Sequence, residues 1–356
     1  MQKLHLEALR SIGLTLPVAQ ELLQLLERNP GCLPVRVTEV HRETVRLDDG
    51  TQGFAARRLP GLARGLADVG DAVAVGDWGL AQRDPHGAWW LTHCLWPGGA
   101  LTRRDAEGNR HIVVSNVDTA FIVTGLDADF NLRRIERFLA LVQGSRVEPV
   151  LVLTKRDLCD DVPQALARLQ GRLPAAVPRV VVDSRMPEAA QALDPWLQPG
   201  RTLVLLGSSG AGKSTLANTL LGHALQPTGA TREGDGRGRH TTTARSLLRL
   251  PGGACLIDTP GVRTLRPDAD EQTLAASFDD IARLSAHCRF RNCRHQGEPG
   301  CAVAARVEPD RIHNFHKLQR EMRRDSMTPL DRRRQLSEWK RRGMIGRLML
   351  RNKRGE

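Results

Sequence analysis

Tyrosine is absent from this 356-residue sequence, and aromatic residues make up only 4% of it. Proteins that bind single-stranded nucleic acid commonly rely on aromatic side chains on which the bases stack. Their scarcity argues against recognition dominated by stacking. If the chain has a nucleic-acid partner, contacts with phosphate groups and recognition of shape fit the composition better.

Long apolar runs are also missing, since no stretch approaches the 18 residues or more that a membrane span requires. The N-terminus mixes Lys3, His5 and Glu7 with apolar residues, so it lacks the apolar core of a secretory signal. The length allows two or three domains with a large core. We expect a cytoplasmic protein with no membrane partner.

Cysteine is present at seven positions, and no disulfide framework is expected in a cytoplasmic chain. Three of the cysteines cluster near the C-terminus and are considered below. The other four are scattered and are interpreted as small apolar residues: Cys32, Cys94, Cys159 and Cys255.

Positive charge is plentiful and unevenly distributed. The net charge is +12, and residues 311–356 carry 15 Lys and Arg against five Asp and Glu, a net of +10. Such asymmetry indicates an anionic partner, most often nucleic acid. The alternative is a solvated basic helix that has no partner.

The first 98 residues divide into a helical segment over residues 1–32 and a run of short strands over residues 33–98. The strand-like runs include 71–77 and 88–93, and turn signals such as Asp48-Asp49-Gly50 separate them. Short strands at this spacing predict a small barrel or sandwich. The pattern does not distinguish an oligonucleotide-binding (OB) barrel from an SH3-like barrel.

Beyond a linker rich in Gly and Arg over residues 97–110, apolar strand-like runs alternate with helical segments. This alternation predicts a mostly parallel sheet covered on both faces over residues 111–283. We expect a loop at 229–240, and a helical, basic region within 284–356. The predicted strands are 112–114, 120–123, 147–153, 179–182, 202–206 and 254–257, with helices at 132–143 and 214–221.

A phosphate-binding loop is indicated between the predicted strand 202–206 and the helix that follows it. Its glycines allow successive backbone N–H groups to point at a phosphate, assisted by the helix N-terminus. Lys213 would neutralise the β and γ phosphates and assist catalysis, and Ser214 would ligate Mg²⁺. The alternative is a glycine-rich turn without a ligand. The candidate residues are Gly207, Ser208, Ser209, Gly210, Ala211, Gly212, Lys213, Ser214 and Thr215.

Two further segments fit a nucleotide hydrolase. Asp258-Thr-Pro-Gly261 follows a predicted strand, where Asp258 would hold Mg²⁺ through water and Gly261 would contact the γ-phosphate. His240-Thr-Thr-Thr243 would supply a threonine ligand to Mg²⁺, for which Thr242 is preferred. The alternative is a threonine-rich loop.

The base would be selected at Thr154-Lys155-Arg156-Asp157, which ends the strand 147–153. The Asp157 carboxylate can accept two hydrogen bonds from guanine, while the stem of Lys155 covers the base. Most GTPases carry Asn in place of Thr154, so we expect the loss of an amide that contacts the base and braces the phosphate loop, with weaker affinity. Residues 182–184 are a candidate for the loop that meets guanine O6. The alternative is an exposed charged loop.

The order of the motifs is permuted, because the base-reading motif precedes the phosphate loop instead of following it. Permutation preserves a sheet when the domain termini lie close together. Val262 stands where a Ras-like GTPase carries the Gln that orients water, so intrinsic hydrolysis should be slow. We hypothesise that a partner completes the site, or that His240 enters it.

The clustered cysteines form the pattern Cys288-x4-Cys293-x-His295-x5-Cys301. Three thiolates and one imidazole are a closed tetrahedral ligand set for one structural Zn²⁺. The alternative is an unrelated group of reduced thiols. Arg289, Arg291 and Arg294 would make this knuckle basic.

Together these motifs resemble the circularly permuted ribosome small subunit-dependent GTPases, the RsgA family. The resemblance rests on TKRD from Thr154, GSSGAGKS from Gly207, GRGRHTTT from Gly236, DTPG from Asp258 and the Cys/His cluster. It implies an OB barrel, a permuted P-loop GTPase domain and a mainly helical zinc domain. It further implies a monomer that binds GTP and GDP, the small ribosomal subunit and its rRNA, with hydrolysis stimulated by that subunit during its late maturation.

Two other readings compete with such a GTPase. A passive RNA-binding assembly protein with a vestigial nucleotide site is the first, and the intact Lys213, Ser214 and Asp258 argue against it. A small-molecule kinase is the second, and it leaves the barrel and the basic end unexplained.

Overall fold

The structure is a computed structural model that describes residues 5–104, 110–223, 245–258 and 271–325. No helix in these ranges is both long and apolar enough to cross a membrane.

Two helices begin the described chain, as the sequence predicts. They are α1 (Leu6–Arg10) and α2 (Leu16–Arg28). Gly13, with φ of 90°, breaks the first from the second, and a proline in the first turn of α2 suits a helix start. Their apolar faces pack against Trp78 and Leu80 of the following barrel.

A closed five-stranded barrel follows. Its strands run in the order β1-β2-β3-β5-β4, and β4 pairs back with β1. The β3–β5 pair is parallel and the others are antiparallel. A helix, α3, lies between β3 and β4, and the arrangement is that of the OB barrel. The elements are β1 (Leu33–Val40), β2 (Thr44–Asp48), β3 (Gly53–Arg58), α3 (Pro60–Asp68), β4 (Trp78–Arg83) and β5 (Trp89–Cys94).

The strand expected at 71–77 is not present. Instead the Asp77 carboxylate accepts the N–H of Ala74 at 2.7 Å, which closes a turn. Val75 makes one isolated bridge to Val114. The apolar run is explained by burial of this segment between the barrel and the next hairpin, since Val73, Ala74 and Val75 are all buried.

The stretch expected as a linker contains a strand. Here β6 (Ala100–Arg104) pairs antiparallel with β7 (Arg110–Ser115). The sequence suggested that 112–114 belongs with the parallel strands, and this was wrong, because the pairing separates it into its own two-stranded sheet.

The predicted parallel sheet covered on both faces is confirmed. Strands run in the order β10-β9-β8-β11-β13-β12, and only β12, which was not predicted, is antiparallel. Helices α4 and α5 pack on one face, and α6 and α7 on the other. The elements are β8 (Thr119–Gly125), α4 (Leu132–Gln143), β9 (Glu148–Thr154), α5 (Val162–Leu169), β10 (Arg179–Val181), α6 (Glu188–Leu193), β11 (Thr202–Leu206), α7 (Lys213–Leu221), β12 (Ser246–Arg249) and β13 (Cys255–Asp258).

The barrel and the parallel sheet are joined by a buried arginine of β1. Arg36 is fully buried and donates to Ile12 O at 2.5 Å, to Asn116 O at 3.0 Å and to Thr202 Oγ1 at 2.9 Å. Since a buried cation must be fully hydrogen-bonded, this side chain ties the N-terminal helices, the hairpin and β11 to the barrel.

Helices α8 (Glu271–Ser277), α9 (Asp279–Ser285) and α10 (Pro309–Asp325) form the described C-terminal part. Arg311 of α10 is buried and bonds Glu136 of α4 at 2.7 Å and Asp280 of α9 at 2.6 Å. This ion network fixes the C-terminal helices on α4. The helical prediction holds for α10, whereas residues 326–356 lie outside the described part.

Candidate nucleotide and metal sites

The candidate phosphate loop leaves the end of β11 and enters α7 at Lys213. Gly207 has no space for a side chain, because a Cβ there would lie 2.2 Å from Val123 O of the neighbouring strand β8. Gly212 has φ of 91°, a conformation that glycine adopts without strain. Glycine is therefore required at both ends of the turn.

The Lys213 ammonium lies across this loop. It donates to Gly207 O at 2.9 Å and to Ser208 O at 2.6 Å. These carbonyls hold a positive charge where a phosphate would enter, and the amides at the start of α7 add a favourable dipole.

The candidate Mg²⁺ ligands Ser214 and Asp258 lie at one edge of the sheet. Ser214 is in the first turn of α7, which follows β11 through the phosphate loop, and Asp258 ends β13. The two strands are parallel neighbours, with Val204 paired to Ile257. Their carboxyl ends therefore meet at the same edge, as a shared metal requires.

Thr154 ends β9 and is fully buried beside the phosphate loop. Its hydroxyl donates to Ala211 O at 2.7 Å. The expectation that a threonine here leaves the loop without a brace is therefore wrong, because the hydroxyl makes a hydrogen bond to the loop itself. An amide that would contact the base is still missing.

Charged residues of the base motif are paired with neighbours that the sequence reasoning missed. Lys155, at φ of 57°, contacts Asp127 with Nζ 2.5 Å from Oδ2. Burial raises the pKa of Asp127, but the hydrogen bonds from Lys155 and from backbone N–H groups, together with the charge of Lys155, outweigh burial and leave the pKa below its usual value. Asp127 comes two residues after β8, at the same carboxyl edge of the sheet as Lys155. That position in the sequence could have indicated that the two residues lie close together.

Asp157 is bound by Arg185. The Nη2 atom of Arg185 lies 2.8 Å from Oδ2 of Asp157 and 2.8 Å from Oδ2 of Asp183. The hydrogen bond to Asp183, together with the charge of Asp157, raises the pKa of the Arg185 guanidinium above its usual value. Arg156 is exposed and contacts Cys159 O at 3.4 Å.

Residues 182–184, the candidate segment for contact with guanine O6, lie beside the phosphate loop. Ser184 is buried, and its carbonyl accepts a bond from Thr219 of α7 at 2.6 Å. A Cβ on Gly212 would lie 3.3 Å from Ser184 Oγ. The structure thus brings together this segment, the base motif and the phosphate loop.

Several predicted site residues fall on parts of the chain that the structure does not describe. They are His240, Thr242, Gly261, Val262 and the loop at 229–240.

The Cys/His cluster is assembled as the spacing predicted. Cys288 Sγ lies 3.9 Å from Cys301 Sγ and 3.7 Å from His295 Nδ1, and all four ligand atoms, including Cys293 Sγ, lie within 4.8 Å of one another. Bonds of about 2.3 Å to sulfur and about 2.0 Å to nitrogen at tetrahedral angles give similar separations. The cluster could hold one metal ion.

A further contact orients the imidazole. His295 Nε2 lies 3.1 Å from Ser285 Oγ, and that hydroxyl donates to Ile281 O at 2.7 Å. A serine with its proton committed elsewhere accepts from Nε2–H, which leaves Nδ1 free to ligate. The exposed Arg289, Arg291 and Arg294 make the surrounding surface basic.

Comparisons with known proteins agree with this geometry. A family model described as RsgA GTPase matches residues 99–267. A small ribosomal subunit biogenesis GTPase RsgA from Xanthomonas campestris pv. campestris (strain B100) is 46% identical over 303 residues, covering 83% of this chain and 82% of the relative. A protein of the same name from Xylella fastidiosa (strain M23) is 47% identical over 300 residues, covering 82% and 88%.

Two solved structures share the fold. YjeQ from Thermotoga maritima aligns with a TM-score of 0.59 at 22% identity, covering 82% of this chain and 98% of YjeQ. YloQ, described as a circularly permuted GTPase, aligns with a TM-score of 0.55 at 21% identity, covering 83% of this chain and 96% of YloQ. The expected barrel and permuted P-loop fold are confirmed.

Proposed function

The chain belongs to the RsgA family of GTPases, and from that premise we propose that it hydrolyses GTP in the biogenesis of the small ribosomal subunit. The observation that carries the proposal is the meeting of three segments at one edge of the sheet. The phosphate loop, the Thr154–Asp157 motif and Asp258 come from different strands and converge there.

Within this site, Lys213 and the loop amides bind the phosphates, while Asp157 selects guanine. Ser214 and Asp258 would hold Mg²⁺, and Thr242 is proposed as a further ligand. The chemistry that Mg²⁺ would supply there is neutralisation of phosphate charge. Val262 in place of a water-orienting Gln requires the missing group to come from elsewhere, and His240 or the subunit itself is proposed to supply it.

The decisive experiment measures GTP hydrolysis by the purified protein with and without small ribosomal subunits. We expect slow hydrolysis alone and a large increase on adding subunits. No increase would contradict the proposal. A passive assembly protein would bind subunits without hydrolysing GTP, which separates that alternative from this one.

The nucleotide state is proposed to control binding to the subunit, which would be tighter with a non-hydrolysable GTP analogue than with GDP. The segment after Asp258 leads directly into α8, and α8 packs on α4. A contact between that segment and the γ-phosphate would therefore act on the same helix that holds the C-terminal part.

The Cys/His cluster is proposed to hold one structural Zn²⁺ through Cys288, Cys293, His295 and Cys301. The closed ligand set leaves no open position for catalysis. Metal analysis of purified protein should give about one zinc per chain, and a Cys301→Ser variant should lose it. We also propose that the protein contacts the rRNA of the subunit, that it is cytoplasmic, and that it is a monomer.

A further inference from the structure

Trp96 is an exposed tryptophan in a chain with few aromatic residues. Its side chain is 70% exposed, and that of Val69 is 62% exposed. Both line a cavity of about 430 Å³ where the barrel, the β6–β7 hairpin and the loop after α4 meet. The wall also includes Asp71, Ile112 and Arg146.

The backbone around Trp96 is anchored on both sides. Leu95 N donates to Trp78 O at 2.8 Å, and Gly98 N donates to Asn116 Oδ1 at 3.3 Å. A Cβ on Gly99 would lie 2.6 Å from Val117 O, so the chain also passes close to the hairpin. Trp96 therefore lies on a fixed segment, so a ligand that binds against it loses little free energy to the ordering of the main chain.

Arg146 supplies a cation at the same cavity. It is exposed, and its backbone has φ of 57°, which is uncommon for a residue other than glycine. The preceding residue is fixed, because Ser145 O accepts the N–H of Ala100 at 3.3 Å. Among the residues that the structure describes, Arg146 forms no ion pair. Asp71, also in the wall, already accepts the N–H of Ala72 at 2.9 Å.

We propose that this cavity binds an unpaired base of an RNA, with the base stacked on Trp96 and an adjoining phosphate beside Arg146. The inference rests on the proposed function in taking RNA as the partner. A single exposed ring next to a cation that has no ion pair within the described part of the chain suits one base and its phosphate. A docked protein would need a wider apolar surface than Val69 and Trp96 provide. Stacking is then confined to one position, in keeping with the low aromatic content.

The test uses the full-length protein and a fluorescent single-stranded oligoadenylate of about ten nucleotides. Titration should show quenching of tryptophan emission. Trp96→Ala should weaken binding about tenfold, whereas Trp96→Phe should keep most of the affinity, because a ring remains for stacking. Leu16→Ala is the matched control, since it also removes an exposed apolar side chain, one that is 73% exposed, and it should bind as the native protein does.

Arg146→Asn tests the phosphate contact, because Asn tolerates positive φ. It should lower the slope of log affinity against log salt by about 0.7. Unchanged thermal unfolding midpoints will show that each variant is folded.

Equal binding of the oligonucleotide by the native protein and Trp96→Ala, or no binding by either, would overturn the inference. If Trp96→Ala loses binding to small subunits but binds the oligonucleotide as the native protein does, the cavity binds a protein. That outcome would also overturn the inference. The proposed function fails separately. If subunits do not stimulate GTP hydrolysis by the native protein while the oligonucleotide still depends on Trp96, the base site stands without that function.

Discussion

The phosphate end and the base end of the nucleotide site are formed by different kinds of chemical group. The phosphate end is formed mainly by main-chain groups, and the carbonyls of Gly207 and Ser208 hold the Lys213 ammonium. At the base end the charged side chains pair with one another, as Lys155 does with Asp127 and Asp157 with Arg185.

This difference predicts a division of labour. Backbone groups are fixed before the ligand arrives, so the phosphate end should supply most of the affinity and catalysis. If Asp157 selects guanine as proposed, the base must displace Arg185 from its carboxylate, so the base end should supply selectivity at some cost in affinity. The following variants test that division, beginning with the largest expected effect.

Lys213→Ala should lower the rate of GTP hydrolysis by on the order of 10²- to 10³-fold, because it removes a positive charge from the transferring phosphate. Steady-state hydrolysis without subunits measures it. Lys317→Ala, at an exposed lysine of α10, is the control and should behave as the native protein. A rate within a few-fold of native would mean that the phosphate end does not dominate.

Asp157→Asn should reduce the preference for GTP over ATP by about ten- to 100-fold, because one carboxylate supplies the bidentate contact. Competition binding with both nucleotides measures the ratio. Xanthosine triphosphate should bind the variant better than GTP does, since the new amide can donate to the oxygen at C2. Asp160→Asn, at an exposed neighbour, should leave the ratio unchanged. A preserved ratio in Asp157→Asn would assign selectivity elsewhere.

Thr154→Val should weaken GTP and ATP binding to the same degree, because the hydroxyl braces the phosphate loop through Ala211 O. Leaving that buried carbonyl without a donor should cost about 1–3 kcal/mol of stability. Thermal unfolding and nucleotide titration check both effects. Thr154→Ser keeps the hydroxyl and should resemble the native protein. A loss confined to GTP would instead show that Thr154 acts on the base.

Arg185→Ala should have the smallest effect, a rise in GTP affinity of about two- to fivefold. The Arg185–Asp157 pair is exposed to solvent, so its release costs little. The gain should shrink at high salt, which screens the pair in the native protein. Arg201→Ala serves as the control at another exposed arginine. A fall in affinity would mean that Arg185 supports the base instead of competing with it.

Features that are set by a local pattern of residues could be predicted from the sequence. The phosphate loop was recognisable because its glycines are dictated by local backbone geometry, and α4 appeared at 132–143 because its apolar periodicity is strong. The short strands β6 and β12 were missed because few residues in each carry a pattern.

Contacts between distant segments could not be predicted. Arg36 bonds Thr202 Oγ1 across 166 positions, and Arg311 reaches Glu136 across 175. Nothing local in the sequence of either arginine identifies its partner. For the same reason Arg185 was not expected at Asp157. The hydrogen bond from Thr154 to the phosphate loop was not predicted. Comparison with the usual Asn shows that an amide is absent, but it does not show that the threonine hydroxyl takes over the contact with the loop.

The most direct test of the account is an equilibrium titration of the native protein with GTP and with ATP, in Mg²⁺ and without subunits. We predict that GTP binds at least about ten times more tightly, because guanine, unlike adenine, can donate two hydrogen bonds to Asp157. Equal affinity for the two nucleotides would contradict it.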